Sequence, residues 1–187
     1  SSSMLIEDFE PNRLESAKQI LNEFLTNIPP SMEIGIISFA GTSFIEQRLT
    51  NDYDTTTEIL NSIVVRPVGG TNIGEAIISA SNLFVNEEKG KAIILLTDGR
   101  STTGTPVEEA VDYANLNEVT IHTIGIGTEE GGLLDLANVM LSISGQELLN
   151  IAESTGGNYY HALDQATLSE AFSQISTASR RTIKMDM

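Results

Sequence analysis

The chain has 187 residues, of which 40% are hydrophobic and 19% charged, a balance typical of a globular domain with its own core. Ten Lys and Arg against 26 Asp and Glu give a formal net charge of −16, which argues against a nucleic-acid partner because phosphate binding requires a basic surface. The absence of cysteine excludes disulfides and thiolate metal ligands. No apolar run approaches the ~20 residues of a membrane span, so we expect no direct membrane insertion by this segment.

Amphipathic and apolar segments alternate along the chain. The first helix, predicted over 13–28, ends at Pro29 and Pro30, because proline cannot continue a helix. In Thr105-Pro106-Val107-Glu108, a capping box with proline at the first helical position predicts another helix start. Further helices are predicted over 55–63, 73–84, about 106–115, 145–154 and 166–178. Strands are predicted over 33–40, 91–99, 119–127 and 158–163.

Strands that are apolar throughout, separated by amphipathic helices, indicate a parallel sheet covered on both faces. Crossovers between parallel strands are right-handed, so the pattern predicts an α/β fold. We expect a three-layer, Rossmann-like, doubly wound sandwich with a mostly parallel central sheet flanked by helices. Ligands of such folds bind beyond the carboxyl ends of the strands.

Oxygen-bearing side chains collect at that predicted edge of the sheet. Asp98 follows the strand "AIILLT", Thr71 ends the Gly-Gly loop "PVGGT", and Ser1 and Ser3 precede the first helix. These are hard oxygen donors, which suit Mg²⁺, Mn²⁺ or Ca²⁺ rather than zinc. With few carboxylates among its ligands, a bound dication would keep positive charge and attract an Asp or Glu of a partner protein.

Each of these residues also has a structural interpretation. Asp98 could simply form a turn before Gly99, and Thr71 or Asn72 could cap the next helix, with Glu75 completing a capping box. The hydroxyls of residues 101–103, which follow Asp98, are interpreted either as groups that shape the rim of the site or as ordinary loop groups. His122 and His161 are expected to be structural, with His122 a satisfied core residue rather than a ligand.

Taken together, these segments resemble the von Willebrand factor type A domain. The similarity is carried by "SSSM", "IGIISFAG", "GGTNIGEAI", "AIILLTDGRSTTG", "VTIHTIGIGT" and "LLNIAESTGGNYYHALD", which follow in the family's order over nearly the whole chain. The resemblance implies a metal-ion-dependent adhesion site with the pattern Asp-x-Ser-x-Ser, then Thr, then Asp. Ser1, Ser3, Thr71 and Asp98 match its serines, threonine and later aspartate. In the family, a carboxylate of the partner completes the metal shell.

One part of the family pattern is missing from this sequence. The first Asp should lie two residues before Ser1, at the end of an apolar strand that sits in the middle of the sheet. Without that strand the sheet would have a gap between two halves, so we expect the strand to be supplied, most simply by residues upstream of Ser1. A second hypothesis is that Asp186, in the closing "TIKMDM", replaces the missing Asp through permutation or exchange.

The leading interpretation is a non-enzymatic protein-binding or adhesion module that recruits its partner through a divalent cation. The alternative is a structural or assembly module, for example a partner of an ATPase or membrane complex, with an incomplete or empty metal site. A phosphohydrolase using Asp98 is a third hypothesis, disfavoured because no general base is placed near the site. We expect one domain over 1–179, lacking its first strand, and an extension or strand over 180–187. The resemblance favours the cell surface or another extracytoplasmic location, within a larger bacterial or archaeal protein.

Overall fold

The computed structural model describes residues 2–84, 90–127 and 143–183, and these ranges form an α/β fold. A short 3-10 helix at Ser2–Leu5 precedes the first α-helix. The strands are β1 (Ile34–Phe39), β2 (Ser43–Thr50), β3 (Lys91–Thr97), β4 (Val119–Ile126) and β5 (Tyr159–Ala162). The helices are α1 (Arg13–Asn27), α2 (Tyr53–Ser62), α3 (Ile73–Asn82), α4 (Val107–Leu116), α5 (Ile143–Ser154) and α6 (Gln165–Ile183).

Side-chain caps fix where the first three helices begin. Asn12, Asp52 and Asn72 precede α1, α2 and α3, and each accepts a hydrogen bond from the backbone N–H three residues on. These contacts satisfy N–H groups that have no partner inside the helix. The predicted cap at Thr105 is wrong: Pro106 is the N-cap residue of α4 and no side chain caps that helix.

The described strands lie in two separate sheets. β1 and β2 form an antiparallel pair, whereas β3, β4 and β5 form a parallel sheet in that order. The predicted parallel sheet is therefore present, but a continuous central sheet is not observed within the described ranges. Within the described ranges, no strand pairing joins β1 to β3.

Helices pack on both faces of the parallel sheet. On one face α3, α4 and α5 form an apolar core with β3 and β4, centred on the fully buried Ile77, Ile121 and Ile151. On the other face α1 and α6 pack on β4 and β5, where the rings of Phe24 and Phe172 are 5.6 Å apart. Burial of these two cores is the main force that holds the helices on the sheet.

The chain's last described helix extends beyond its predicted end. The sequence predicts this helix over 166–178, and α6 runs from Gln165 to Ile183. Residues 184–187, with the proposed role of Asp186, and Ser1 lie outside the described residues. Among the helices that the structure describes, none is both long and apolar enough to span a bilayer.

Candidate metal-binding site

Asp98 lies at the carboxyl end of β3, as the sequence predicts. Its side chain is only 4% exposed, and its Oδ2 accepts a hydrogen bond of 3.3 Å from Nη1 of Arg13. Among the described residues, Arg13 is the donor that contacts the Asp98 carboxylate. The carboxylate is thus held in place by a buried guanidinium.

Arg13, the first residue of α1, joins two carboxylates. Its Nε donates to Asp8 Oδ1 at 2.8 Å and its Nη2 donates to Asp8 Oδ2 at 2.7 Å, a bidentate pair. The hydrogen bond to Asp8 raises the pKa of Arg13 above its ordinary value, with smaller contributions from the charges of Asp8 and Asp98. Arg13 therefore stays protonated and fixes the loop that contains Asp8 next to the end of β3.

Gly127, which follows β4, packs directly against this guanidinium. Its φ is +111°, a conformation that side chains rarely adopt, and a Cβ there would lie 2.4 Å from Arg13. The absence of a side chain at Gly127 thus leaves space for the Arg13 guanidinium beside Asp98.

The sequence interpretation missed both Arg13 and Asp8. The signal that was available is an Arg at the start of the helix that directly follows the Ser-rich stretch.

Thr71 is presented by a loop that is bound to the loop after β3. Its backbone N–H donates to Thr102 Oγ1 at 2.9 Å, and its carbonyl accepts from the Thr102 N–H at 2.8 Å. Among the described residues, nothing bonds to the Thr71 hydroxyl, so that oxygen is available to a ligand. Of the two interpretations of the hydroxyls of residues 101–103, Thr102 agrees with the one that has them shape the rim, because its hydroxyl positions Thr71.

The glycine before Thr71 is required by the backbone. Gly70 has a φ of +86°, and a Cβ there would lie 2.8 Å from Cγ2 of Thr103. Asn72, on the other side of Thr71, caps α3 through the predicted contact with Glu75: its Oδ1 accepts from the Glu75 N–H at 3.0 Å. Thr71 is therefore fixed on both sides, by a glycine turn and by a helix cap.

The amino-terminal serines are only partly described. Ser3 is half-buried in the 3-10 helix, where its carbonyl accepts a hydrogen bond from the Ile6 N–H at 3.2 Å. The next residue, Met4, lines a cavity of about 800 Å³ between β1 and β3, which we call the slot. Thr71 and Asp98 line the same slot. The structure thus brings these two predicted ligands and the neighbour of Ser3 to one cavity.

Both histidines have structural partners, as the sequence predicts. His122 is buried in β4, where its Nδ1 accepts from the Asn158 N–H at 3.1 Å, and burial lowers its pKa from the ordinary value of 6.5. His161 Nε2 lies 3.3 Å from the Gly127 carbonyl oxygen.

The loop that follows β3 also contacts α5, which the sequence did not predict. Glu147 Oε1 of α5 accepts a hydrogen bond from the Ser101 N–H at 2.7 Å.

The donor set decides which ions the site could hold. The described residues contain no group of three or more His, Cys, Asp or Glu side chains placed to bind a metal. An ion at the Thr71–Asp98 end of the slot would therefore depend on hydroxyl oxygens and one carboxylate. Such hard, mostly neutral ligands fit a small dication such as Mg²⁺ and leave room for an outside anion.

Comparisons with known proteins agree with the fold. A family model described as the von Willebrand factor type A domain matches residues 1–100. A UPF0353 protein of Mycolicibacterium paratuberculosis is 30% identical over 190 residues, covering 94% of this chain and 57% of that protein. A UPF0353 protein of Mycobacterium marinum is 25% identical over 191 residues, covering 94% and 56%. The chain thus spans little more than half the length of these curated relatives.

Solved structures are similar over nearly the whole chain. BatB from Bacteroides thetaiotaomicron is 29% identical with a TM-score of 0.75 and covers 95% of both chains. An aerotolerance-related membrane protein from Bacteroides fragilis is 27% identical with a TM-score of 0.75, covering 95% of this chain and 94% of that one. Proximal thread matrix protein 1 from the mussel byssus, with a zinc-occupied MIDAS motif, is 21% identical with a TM-score of 0.72, covering 94% and 44%. This last likeness shows the fold alone.

Proposed function

Because the chain belongs to the von Willebrand factor type A domain family, a family of protein-interaction modules, we propose that it binds a partner protein through a divalent cation. The cation is Mg²⁺ or, alternatively, Mn²⁺ or Ca²⁺. Its ligands are Ser1, Ser3, Thr71 and Asp98, acting directly or through water. The partner contributes one Asp or Glu carboxylate to the remaining position.

The observation that carries this proposal is that Thr71 and Asp98 line the same slot, and that the loop of Thr71 is hydrogen-bonded to the loop that follows Asp98. Among the described residues, none hydrogen-bonds to the Thr71 hydroxyl, whereas the Thr71 N–H is bonded to Thr102. The Asp98 carboxylate is held in one orientation by its hydrogen bond from Arg13. Fixed donors bind an ion more tightly than mobile ones because less conformational freedom is lost on binding.

The charges at the site favour an acidic partner. Asp8, Asp98 and Arg13 together contribute one net negative charge, and the proposed serine and threonine ligands are neutral. A bound dication therefore makes this group of residues net positive, on a chain whose formal charge is −16. The ion is the feature that would attract a carboxylate to this surface, and without it an acidic partner is repelled.

Titration calorimetry with MgCl₂ and MnCl₂ tests this proposal. Asp98→Asn keeps the size of the side chain and removes its charge, so it should weaken cation binding at least tenfold. Asp112→Asn, which removes an exposed carboxylate from α4, is the matched control and should bind as the unchanged protein does. Equal cation binding by the unchanged protein and Asp98→Asn would overturn the proposed site.

A structural or assembly module is the second candidate function, and one observation favours it. Asp98 is already paired with Arg13, and the described residues supply no cluster of carboxylates around it. If the chain is a structural or assembly module, its partner binds to other surfaces, and this binding persists when EDTA removes divalent cations. Loss of partner binding in EDTA, restored by Mg²⁺, would exclude this candidate.

We further propose that the chain is a non-enzymatic, extracytoplasmic domain of a larger bacterial or archaeal protein. The similar protein from Bacteroides fragilis, which is described as an aerotolerance-related membrane protein, supports this location. Fusion of the full-length protein to alkaline phosphatase, which is active only outside the cytoplasm, tests it. An inactive fusion with normal expression would place the domain inside the cell.

A further inference from the structure

Arg100 is an exposed basic side chain on a strongly acidic chain. Most basic side chains that the structure describes are engaged in an ion pair or a hydrogen bond; these are Arg13, Lys18, Arg66 and Lys91. Arg48 and Arg100 differ from them, because both are exposed and neither guanidinium contacts an Asp or Glu of the described residues. With 26 Asp and Glu in the chain, a cation that stays unpaired is the exception.

Arg100 lies beside the candidate metal site and outside the slot. It follows Asp98 by two residues, so their Cα atoms are at most about 7 Å apart. Asp98 lines the slot, whereas Arg100 is exposed and is not among the lining residues. A partner that approaches a cation at Asp98 therefore comes within reach of the Arg100 side chain.

The backbone on both sides of Arg100 is fixed. On one side the Gly99 N–H donates to Thr97 Oγ1 at 3.3 Å, and the same hydroxyl donates to the Gly99 carbonyl at 3.2 Å. On the other side the Ser101 N–H donates to Glu147 Oε1 at 2.7 Å. The base of the Arg100 side chain is thus positioned before a partner arrives, and binding has to order the side chain alone.

Acidic side chains that contact this loop are already engaged elsewhere. The Asp98 carboxylate accepts from Arg13, and Glu147 accepts from the Ser101 backbone N–H rather than from the neighbouring guanidinium. The positive charge of Arg100 therefore stays available to an anion from outside the described chain. A guanidinium binds a carboxylate through two parallel hydrogen bonds, which favours this anion over a neutral group.

We propose that Arg100 is a specificity-determining residue, which binds a second carboxylate of the partner next to the one bound by the cation. The assignment rests on the function proposed above, because the cation supplies the first contact. One carboxylate at the cation leaves the charge of Arg100 unpaired, and a second one neutralises it. The partner is therefore a protein segment with two acidic side chains on one face, rather than a segment with a single Asp or Glu.

The spacing of the two contacts specifies the spacing of the two acids. Asp98 and Arg100 are separated by one residue in an irregular loop. In an extended segment, acidic residues at positions i and i+2 lie on the same face, about 6.6 Å apart, whereas adjacent residues point to opposite faces. A segment with one residue between its two acids therefore presents both carboxylates to this surface, and a segment with adjacent acids presents one.

Arg48 provides a matched control for the effect of charge alone. It is exposed and forms no ion pair among the described residues, as is true of Arg100. It follows Gln47 of β2, which pairs with Ile36 towards the amino end of β1. The candidate metal site lies beyond the carboxyl ends of the strands, so Arg48 is placed away from it. Substitution of either arginine changes the net charge equally.

The test uses three short synthetic peptides and nuclear magnetic resonance. The spaced peptide contains Asp-Gly-Glu, the adjacent peptide contains Asp-Glu-Gly, and the singly acidic peptide contains Asp-Gly-Gln, each flanked by glycines and blocked at both ends. Each peptide is titrated into the ¹⁵N-labelled chain at low salt, in saturating MgCl₂ and in EDTA. Amide shifts give the affinities, and the Nε–H signal of Arg100 reports directly on contact with a carboxylate. The variants are Arg100→Gln, Arg100→Lys and Arg48→Gln.

In MgCl₂ we expect the spaced peptide to bind about three- to fivefold more tightly than the other two, the gain typical of an exposed ion pair. The Arg100 Nε–H signal should shift with the spaced peptide alone. Arg100→Gln should bind all three peptides equally, Arg100→Lys should keep part of the preference, and Arg48→Gln should keep all of it. Added NaCl should reduce the preference, because exposed charges are screened.

The outcomes separate this inference from the function on which it rests. If the singly acidic peptide binds in MgCl₂ and not in EDTA, the cation-dependent function stands. The role of Arg100 is then overturned by equal affinity for the spaced and adjacent peptides, by a preference that survives in Arg100→Gln, or by its loss in Arg48→Gln. Absence of peptide binding in MgCl₂, or equal binding in EDTA, would overturn the proposed function and the role of Arg100 together.

Discussion

Arg13 Nη1 lies 3.3 Å from Asp98 Oδ2, although 85 residues separate the two in sequence. Both side chains are almost completely buried, at 7% and 4% exposure. A guanidinium in this position cannot lose its proton, so it keeps a fixed positive charge beside Asp98, the carboxylate that the sequence predicts to be a metal ligand. The site is therefore organised by an ion pair that is present before any cation binds.

Removal of Arg13 tests how much this ion pair stabilises the fold. Arg13→Gln removes the positive charge beside the buried Asp98 carboxylate, and we expect the free energy of unfolding to fall by about 3–5 kcal/mol. Urea denaturation followed by circular dichroism measures it. Arg66→Gln is the control, because Arg66 pairs with Glu46 at an exposed position and should cost about 1 kcal/mol or less. Equal losses for the two variants would show that the Arg13 pair has no special role.

The Thr71 hydroxyl should matter for cation binding but not for folding. Thr71→Val has nearly the same shape and removes the oxygen, so Mn²⁺ affinity should fall about tenfold, equivalent to about 1.4 kcal/mol. Thr71→Ser keeps the hydroxyl and should bind within about threefold of the unchanged protein. Calorimetry gives the affinities. Thr103→Val on the adjacent loop serves as the control, and a matching decrease there would indicate a general loop effect.

The two adjacent glycines should respond differently to substitution. Gly70→Ala places a Cβ 2.8 Å from Thr103 at a φ of +86°, and we expect a loss of about 1–3 kcal/mol. Gly69→Ala adds a Cβ that meets nothing within 4 Å, so stability should be unchanged or rise by about 0.4–1 kcal/mol. Thermal unfolding compares the pair. A destabilised Gly69→Ala beside a neutral Gly70→Ala would contradict the described loop.

His122 should make stability depend on pH. Burial lowers its pKa in the folded state, so below pH 6.5 the unfolded chain binds the proton more readily than the native chain does. Its contribution to stability is complete above pH 6.5 and is lost as the pH falls towards its folded pKa, with a slope of at most about 1.4 kcal/mol per pH unit.

Urea unfolding between pH 5 and 8 measures this contribution. His122→Asn keeps an acceptor for the Asn158 N–H and cannot titrate, so the difference between the variant and the unchanged protein should vary with pH. A constant difference for His122→Asn would show that burial does not shift this histidine.

Local patterns predicted most of the elements and missed what depends on distant contacts. The run "AIILLT" before Asp98 is apolar throughout, and it forms β3 with Asp98 at its carboxyl end. β2 was not predicted, because it is an edge strand with mixed side chains that owes its form to pairing with β1. The sequence places Arg13 at the start of the first helix but does not give its partner, since Asp98 becomes a neighbour only when α1 packs beside β3.

Helix α1 packs against both sheets, because Leu21 and Phe24 contact the apolar cluster that includes β1 and the one that includes β3, and this position has a mechanical consequence. Across the slot no backbone hydrogen bond joins β1 to β3 among the described strands, so a force that pulls the two sheets apart is resisted there by side-chain packing of residues such as Leu21 and Phe24. The bonds between Thr71 and Thr102 cross the same division at its end, next to the proposed ion. We expect a change in the width of this division to change the spacing of Thr71 and Asp98, so that force on the domain and binding of the proposed cation are coupled.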